Sequence, residues 1–356
     1  MHFRRLALHR FRNLADATLE FSPGLNLVSG RNGQGKTNLL EALHLLALAH
    51  SPRARTEKDC ITWTQKSFVL RGEGLSLSGV EHAQSIEYGE DIRVKVNGEE
   101  TRRLSALLGA FSLVSLSPED LELVRGGPMA RRRFLDVLLC QLEPGFIETL
   151  RLYQVAVKQR NAALRANADD AVLVAYETGI AQAGSRIIAK RQSLLDDLKP
   201  WAQKDYALLS RESEALGLRI TRNPEQTSPE SLLQELLRQR QRDREEGSTS
   251  VGPHRDDLML FLAGKSAREF GSQGQKRSVA LSLRMAAAQL LRLRMGIPPI
   301  LLLDDVFAEL DSHRQAALGE LLRERGQAFI ATPRQGEMPF AVDAAFQVEG
   351  GIISPA

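Results

Sequence analysis

The chain has 356 residues, of which 43% are hydrophobic and 26% are charged, and its formal net charge is +3. This length allows two domains with a large buried core, and the composition is typical of a globular protein. No run of about 18 apolar residues is present, which argues against a transmembrane helix. Cys60 and Cys140 offer neither a disulfide framework nor the spacing of a metal site.

The first 29 residues predict β-strands. Residues 3–11 and 17–21 alternate apolar and polar side chains, as half-buried strands do, and a Ser-Pro-Gly turn follows at 22–24. This N-terminal segment lacks the apolar core and the cleavage site of a signal peptide. We therefore expect a cytoplasmic protein without a membrane partner.

Residues 25–49 predict a strand, a glycine loop and a helix. The loop at 30–37 matches G-x-x-x-x-G-K-[ST], the P-loop pattern, whose backbone N–H groups surround phosphates. Lys36 can reach the β- and γ-phosphates, and the Thr37 hydroxyl can ligate Mg²⁺. The predicted nucleotide-binding residues are Gly30, Arg31, Asn32, Gly33, Gln34, Gly35, Lys36, Thr37 and Asn38.

The middle of the chain changes from strands to helices. Several short alternating segments between residues 68 and 98, with a hairpin signal at Asn97-Gly98, predict an antiparallel β layer. From residue 117 to about 246 the pattern is helical, with breaks expected at Pro144-Gly145 and at Pro200. A basic cluster, Arg131, Arg132 and Arg133, is a candidate DNA contact, and an exposed helix face explains it equally well.

A second set of candidate site residues follows residue 270. The sequence predicts a loop at 270–277, a helix from Ser278 to about Met295, and an apolar strand at 300–303 that ends in Asp304 and Asp305. Strand-terminal carboxylates of this kind form the Walker B pattern. Asp304 would hold Mg²⁺, and Asp305 would polarise the attacking water, which makes Lys36, Asp304 and Asp305 the predicted catalytic residues.

The residues before the second long helix suggest a dimer. Ser272, Gln273, Gly274 and Gln275 combine a hydroxyl, a glycine N–H and a helix N-terminus, which together form a second anion-binding cap. One triphosphate does not need two such caps in one subunit, whereas a head-to-tail pair would use both. Glu309, Leu310 and Asp311 would lie across the same interface. An ordinary N-capped helix would explain Ser272 but not the Gly-Gln pair.

This order of motifs resembles the ABC-type ATPase heads of the SMC family, and most closely the RecF family of bacterial repair proteins. The resemblance runs along the whole chain. Besides the P-loop and residues 302–306 and 309–311, it is carried by residues 11–14, 117–121, 131–136, 158–161 and 252–257.

The resemblance implies an ATP- and Mg²⁺-dependent homodimer that binds double-stranded DNA and single-strand/double-strand junctions. It also implies that the dimer works with RecR and RecO to load RecA and is associated with the nucleoid. The expected fold is α/β, an ABC-ATPase-like head with an antiparallel β layer and an inserted helical domain. The expected domains are 1–116 (head, P-loop), 117–247 (helical insertion) and 248–356 (head, signature and Walker B).

Two departures from transporter-type ATPases leave alternatives open. Gln273 stands at the second signature position, where transporters have glycine, and Asp305 replaces their catalytic glutamate. The chain could therefore be a weak, DNA-stimulated ATPase or a nucleotide-gated DNA clamp with negligible hydrolysis. A transporter's nucleotide-binding subunit is disfavoured, since Thr332-Pro333 stands where transporters carry a histidine.

Overall fold

The computed structural model describes residues 1–210, 214–222, 227–309, 314–315, 318–319, 322, 326–333 and 341–356. Contacts within the chain divide it into two compact units. The first comprises Met1–Asp120, Leu208–Arg211 and Ala280–Ala356, and the second comprises Leu121–Ala207 and Glu212–Val279. The second unit continues past residue 247, where we expected the head to resume, because the strand at Asp257–Leu262 pairs with the strand at Leu216–Thr221.

Fifteen strands and eight α-helices are found among the described residues. The strands are β1 His2–His9, β2 Ala17–Glu20, β3 Leu25–Ser29, β4 Phe68–Leu75, β5 Glu81–Tyr88, β6 Ile92–Val96, β7 Glu99–Thr101, β8 Leu113–Leu116, β9 Leu216–Thr221, β10 Asp257–Leu262, β11 Lys265–Ser266, β12 Ile300–Asp304, β13 Ala328–Thr332, β14 Ala344–Glu349 and β15 Ile352–Pro355. The helices are α1 Lys36–Leu48, α2 Glu122–Arg125, α3 Pro128–Leu142, α4 Phe146–Arg165, α5 Asp170–Ser210, α6 Pro229–Glu246, α7 Ala267–Phe270 and α8 Gln273–Met295.

The first unit contains a largely parallel sheet that carries the nucleotide motifs. Its strand order is β15-β14-β3-β13-β12-β8, and only β15 runs antiparallel to its neighbour. The apolar residues of β12, at positions 300–303, are all at most 2% exposed. Strands covered on both faces need such continuous apolar sequences. The P-loop strand β3 and the Walker B strand β12 flank β13, so both end at the same edge of the sheet.

An antiparallel sheet, ordered β2-β1-β4-β5-β6-β7, forms a second layer of the first unit. Helix α1 contacts strands of both sheets, which explains why its side chains from Leu39 to Leu48 are all buried. The expected hairpin is present, because Asn97 and Gly98 have positive φ and connect β6 to β7. The predicted α/β fold with an antiparallel layer is therefore confirmed.

The second unit is mainly helical, with one small antiparallel sheet ordered β11-β10-β9. The break predicted at Pro144-Gly145 separates α3 from α4. The break predicted at Pro200 is wrong, because α5 continues through it as a helix of 41 residues. Apolar residues on both sides of the proline, including Leu194, Leu198 and Tyr206, are at most 3% exposed. Their packing outweighs the one hydrogen bond that proline removes.

The second long helix starts earlier than predicted. Helix α8 begins at Gln273, not at Ser278, so residues 273–277 are helical and do not form a loop. The capping interactions described below account for this earlier start.

Candidate nucleotide-binding site

The P-loop follows β3 directly and leads into α1, whose first two residues are Lys36 and Thr37 of the motif. Gly30 has φ +152° and Gly35 has φ +121°. A Cβ atom at Gly30 would lie 2.3 Å from the Val348 carbonyl oxygen, and one at Gly35 would lie 2.6 Å from Leu14 Cδ2. Both positions therefore need glycine for conformation and for space.

Helix α1 begins without a side-chain cap. Its N-cap residue is Gly35, and its first turn contains no acidic residue. The N–H groups at a helix N-terminus lack partners within the helix and carry partial positive charge. This end of α1 is therefore open to an anion, as a phosphate-binding helix must be.

Lys36 is held inside the loop. Its side chain is mostly buried, the residue being 4% exposed, and its Nζ donates to the carbonyl oxygens of Gly30 (2.8 Å) and Arg31 (3.2 Å). Both acceptors are neutral carbonyls. A phosphate oxygen would be a stronger acceptor, since charge-assisted hydrogen bonds are about twice as strong as neutral ones.

Asp304 and Asp305 stand at the end of β12, close to the start of α1. The Thr37 side chain hydrogen-bonds Asp304, and burial raises the pKa of Asp304 above its usual range in spite of that bond. Among the residues that the structure describes, Oδ1 of Asp304 and Oδ1 of Asp305 are buried without a hydrogen-bond partner. Asp305 also has φ +52°, an uncommon value for a residue other than glycine.

These unpartnered oxygens fit a hard cation. Buried acceptors without a hydrogen-bond partner cost free energy, and two of them beside a hydroxyl form an oxygen-rich site of the kind Mg²⁺ uses. No group of three or more His, Cys, Asp or Glu side chains suited to a metal occurs among the described residues. This agrees with Mg²⁺ chemistry, because that ion is usually bound by one or two carboxylates together with substrate phosphates.

A cleft of about 210 Å³ opens at this edge of the sheet. Its lining includes six predicted nucleotide-site residues, Asp305, and Arg53, which no sequence pattern pointed to. Arg53 donates from Nη1 to Asn38 Oδ1 (3.1 Å) and lies 3.7 Å from a Glu119 carboxylate oxygen. Because Arg53 follows α1 in an irregular loop, only the folded chain brings its guanidinium into the cleft.

Two residues that sequence reasoning missed, Asn13 and Gly350, support the P-loop through hydrogen bonds. Asn13 Nδ2 donates to the carbonyl oxygens of Gly33 and Gln34, both at 3.4 Å, and Asn38 Nδ2 donates to Asn13 Oδ1 at 2.7 Å. From the other end of the chain, Gly350 N donates to Gln34 Oε1 at 2.6 Å. Residues 11–14 were part of the family resemblance, but the sequence did not indicate their role. No sequence pattern connects residue 350 with residue 34.

The predicted signature residues cap α8. The Gln275 N–H donates to Ser272 Oγ (3.2 Å), and the Ser272 N–H donates to Gln275 Oε1 (2.7 Å). This reciprocal pair is a capping box. Gln275 also donates from Nε2 to Glu214 Oε1 at 2.8 Å. Helix capping therefore accounts for Gln275 as well as for Ser272, which the sequence analysis did not foresee.

Of the three candidate DNA-binding arginines, Arg131 is engaged within the protein. It is 4% exposed, and its Nε and Nη2 form a bidentate ion pair with Asp257 at 2.7 and 2.8 Å. Its Nη1 donates to the Leu123 and Gly126 carbonyls. We therefore remove Arg131 from the candidate DNA contacts. Arg132 is half-buried and donates to the Asp256 carbonyl, whereas Arg133 is exposed.

The remaining candidate residues are less informative. The backbone of Glu309 ends a short 3₁₀ turn, Val306–Glu309, while Leu310 and Asp311 lie outside the described residues. His254 hydrogen-bonds Tyr153 Oη (2.5 Å) and the Thr249 carbonyl (2.9 Å), and burial lowers its pKa to about 4. An imidazole that is neutral and makes two hydrogen bonds in this way orders the loop that contains it.

Comparison with known proteins identifies the family. Residues 2–350 match the family described as RecF/RecN/SMC N terminal domain. The chain is 39% identical over 346 residues to the DNA replication and repair protein RecF of Halalkalibacterium halodurans, covering 93% of this chain and 92% of the relative. With RecF of Bacillus subtilis it shares 35% identity over 344 residues, 93% of each chain. The chain belongs to the RecF family.

Solved structures agree with this assignment. The structure of the recombination mediator protein RecF-ATP in the RecFOR pathway matches with a TM-score of 0.92 and 30% identity, over 99% of this chain and 97% of the other. The Smc head domain of Pyrococcus furiosus matches with a TM-score of 0.57 at 16% identity, over 100% of this chain and 96% of that one, which shows a shared fold. The protein is thus a RecF-family DNA replication and repair protein with the fold of an ABC-type ATPase head.

None of the helices that the structure describes combines the length and the apolar character needed to cross a bilayer.

Proposed function

We propose that this chain is an ATP-dependent DNA-binding protein. ATP would drive head-to-tail dimerisation on DNA, and slow hydrolysis would release the dimer. The observation that supports this proposal best is the pair of unpartnered carboxylate oxygens of Asp304 and Asp305 beside the uncapped end of α1. A protein keeps such unsatisfied groups where a ligand completes them.

The phosphates would occupy the cleft at the P-loop. Backbone N–H groups of residues 30–38 would donate to the phosphate oxygens, and Lys36 would exchange its two carbonyl partners for the β- and γ-phosphates. Arg53 would add a second positive charge, because it lines the same cleft. Asn13 and the Gly350 N–H hold the loop in this conformation before ATP arrives.

Thr37 and Asp304 would hold Mg²⁺. The bound ion would neutralise the charge that develops on the β- and γ-phosphate oxygens. Before binding, Thr37 hydrogen-bonds Asp304, so the hydroxyl already faces the carboxylate with which it would share the ion.

Asp305 would orient the attacking water. It lies one residue beyond the strand, and its N–H donates to the Ala331 carbonyl at 3.1 Å, which fixes its backbone at the edge of the sheet. An aspartate side chain is one methylene shorter than the glutamate of transporter-type ATPases. We therefore expect slow turnover, stimulated when DNA binding stabilises the dimer.

The signature would act in trans on the nucleotide of a second copy. In the capping box the Ser272 hydroxyl accepts a hydrogen bond, so its own proton can still be donated to a γ-phosphate of the partner. Gln273 and Gly274, in the first turn of α8, would contribute backbone N–H groups. Glu309, Leu310 and Asp311 would lie at the same interface.

DNA binding would depend mainly on phosphate contacts. The net charge is only +3, and the chain contains no zinc-finger or recognition-helix pattern, so we expect steep salt dependence and weak sequence selectivity. Arg132 and Arg133 remain candidate contacts. From the family we further propose that the substrate includes single-strand/double-strand junctions, that RecR and RecO are partners in loading RecA, and that the protein is associated with the nucleoid.

Sedimentation of the purified chain with ATP, with ADP and without nucleotide, each with and without duplex DNA, tests this proposal. We expect a dimer only with ATP, and DNA binding only under that condition. Lys36→Arg should abolish dimerisation and hydrolysis, because a guanidinium is too broad for the phosphate nest. Lys95→Arg, at an exposed lysine that pairs with Glu100, is the matched control. Normal hydrolysis by Lys36→Arg would disprove the P-loop assignment.

Ser272→Arg separates ATP binding from dimerisation. The variant should bind ATP with near-parent affinity, and it should neither dimerise nor hydrolyse ATP. Mixing it with Lys36→Arg should restore partial activity, since a mixed dimer has one intact composite site. Ser228→Arg is the matched control. Ser228 caps α6 by accepting a hydrogen bond from the Ser231 N–H, so this variant also loses a capping serine, which costs about 1 kcal/mol of stability. Loss of ATP binding by folded Ser272→Arg would mean that the signature acts in cis.

A further inference from the structure

A tryptophan at the surface of the first unit has no structural role that its surroundings explain. Trp63 is 92% exposed, the largest exposed fraction of any large hydrophobic residue that the structure describes. An indole normally buries 150–250 Å² and contributes much of the stability of a core or an interface, on the order of a few kcal/mol. The function proposed above does not use this side chain.

The backbone around Trp63 is strained and firmly anchored. The Gln65 N–H donates to the Thr62 carbonyl (3.0 Å), which closes a β-turn with Trp63 and Thr64 at its centre. Thr64 has φ +71°, at a turn position where glycine or asparagine is usual and a β-branched residue is an outlier. At the base of the turn the Thr62 N–H donates to the Arg10 carbonyl at 2.9 Å. The turn therefore holds the indole out into solvent.

The residues beside Trp63 along the chain and at the base of its turn are polar, and basic side chains outnumber acidic ones among them. Lys58, Lys66 and Arg10 are all exposed, and Thr62, Thr64 and Gln65 supply polar groups. The nearest acidic residue along the chain, Asp59, accepts hydrogen bonds from the Arg55 and Thr56 N–H groups, which lower its pKa. Glu57, half-buried, is the other acidic residue between positions 53 and 66, and Asp16 accepts a hydrogen bond from the Arg10 N–H at the base of the turn.

The segment that anchors this turn also contacts the nucleotide site. Arg12 donates from Nη1 to the Asp59 carbonyl (2.5 Å) and from Nε and Nη2 to both carboxylate oxygens of Glu41 in α1 (2.9 and 2.6 Å). Asn13, the next residue, donates to P-loop carbonyls. One short segment thus connects the turn that presents Trp63 with the loop that would bind ATP.

We propose that Trp63 is a stacking platform for an unpaired base of DNA. Base–aromatic stacking beside basic side chains is the usual way of binding single-stranded nucleic acid, because every base has a π-face and every nucleotide a phosphate. A protein-binding tryptophan would normally lie at the centre of an apolar patch, whereas the neighbours of Trp63 are polar. The inference deepens the proposed DNA binding and rests on it: the turn would select DNA with a single-stranded tail.

Fluorescence of a single-tryptophan chain gives a direct test. Trp63 and Trp201 are the two tryptophans of the sequence, so Trp201→Phe leaves Trp63 as the only indole. This variant is titrated, with ATP and Mg²⁺ present, with a duplex closed at both ends by hairpins and with the same duplex carrying a (dT)₁₀ tail. We expect the tailed DNA to quench the Trp63 emission and the closed duplex to leave it unchanged.

Affinity measurements complete the test. Trp63→Ala should weaken binding of the tailed DNA by about 5- to 150-fold, the equivalent of one stacked base, and should leave the closed duplex unaffected. Trp63→Phe should weaken binding of the tailed DNA less than Trp63→Ala does, because a phenyl ring can still stack on a base. Val80→Ala, which shortens another exposed apolar side chain of the first unit, should change neither affinity.

The possible outcomes distinguish a failure of the stacking platform from a failure of the proposed DNA binding. If the parent chain binds neither DNA, the proposed DNA binding is wrong, and the stacking platform with it. If the parent binds both and Trp63→Ala binds the tailed DNA equally well, only the platform is wrong. Equal weakening of both DNAs, or an unchanged Trp63 emission, would also overturn it, since neither result reports an unpaired base on the indole.

Discussion

Two groups of ionisable residues, one in each unit, use similar side chains in opposite ways. In the second unit, Arg160 is completely buried and bonds Glu177 (3.0 Å), Asp243 (2.7 Å) and the Thr249 hydroxyl (3.0 Å). Arg240 contacts both carboxylate oxygens of Glu177. In the first unit, Asp304 and Asp305 each keep a buried oxygen without a partner among the described residues, and α1 has no side-chain cap.

In these two groups the hydrogen-bond partners differ although the residue types are similar. Both groups lie in segments that carry the family resemblance, since Arg160 belongs to residues 158–161 and Asp304 to residues 302–306. The Arg160 group is complete in itself and stabilises the packing of α4, α5 and α6. The nucleotide group is incomplete in itself, and ligands would complete it. The two helix N-termini also differ, because a side-chain capping box holds the first turn of α8 and α1 has no side-chain cap.

The largest effect is expected on the free energy of unfolding when the buried Arg160 group is broken. Arg160→Met would leave Glu177 and Asp243 buried without their shared cation, and we expect a loss of about 3–5 kcal/mol in the free energy of unfolding. Urea unfolding followed by Trp201 fluorescence in a Trp63→Phe background measures it. Arg151→Met, which breaks an exposed pair with Glu148, should cost much less, since solvent screens exposed ion pairs. Equal costs in the two variants would contradict the comparison.

Substitutions in the nucleotide group, Asp304 and Asp305, should change ATP hydrolysis and not the free energy of unfolding. Asp305→Asn removes the charge that would orient water but leaves Asp304 to hold Mg²⁺, so hydrolysis should fall by about 100-fold while ATP still binds and traps the dimer. Single-turnover hydrolysis with and without duplex DNA measures this, and it also separates a DNA-stimulated ATPase from a clamp. Asp91→Asn, at an exposed carboxylate paired with Arg102, is the control. Parent-rate hydrolysis by Asp305→Asn would remove Asp305 from the mechanism.

The buried His254 of the second unit should make the stability of the protein depend on pH. Burial lowers the pKa of folded His254 to about 4, below the usual value of 6.5, so between these pH values the unfolded chain binds more protons. Stability should therefore fall as pH drops from about 6.5 towards 4, by up to about 3 kcal/mol. The difference in unfolding free energy between the parent and His254→Gln isolates this contribution, because burial raises the pKa of nearby Asp256 and acts in the opposite direction. A difference that stays constant with pH would contradict the assignment.

The smallest effect concerns backbone strain at the turn that presents Trp63. Thr64→Gly should raise the free energy of unfolding by about 1 kcal/mol, because glycine adopts positive φ without the Cβ clash. Thr56→Gly is the matched control, since Thr56 has φ −137° and caps a 3₁₀ turn, so that change should destabilise the chain. Stabilisation by both substitutions, or by neither, would mean that the turn is not strained.

Local patterns were sufficient to predict much of the first unit. The P-loop, the Walker B strand and the Asn97-Gly98 hairpin depend on neighbours within a few residues, and alternation or continuous apolar runs reveal strand burial directly. Local reasoning failed at Pro200 and at the start of α8. At Pro200 the packing of α5 outweighs the helix-breaking preference, and at α8 the capping box starts the helix at Gln273, five residues before the predicted position.

The sequence by itself determined the α/β ATPase-head fold and the RecF family, and it predicted which residues would face a triphosphate. Only the tertiary structure decided which charged side chains are already paired. Arg131 meets Asp257 across 126 positions, and Gln34 meets Gly350 across 316. Partners so far apart leave no local pattern, because their pairing depends on how separate elements pack and not on the spacing of residues along one of them.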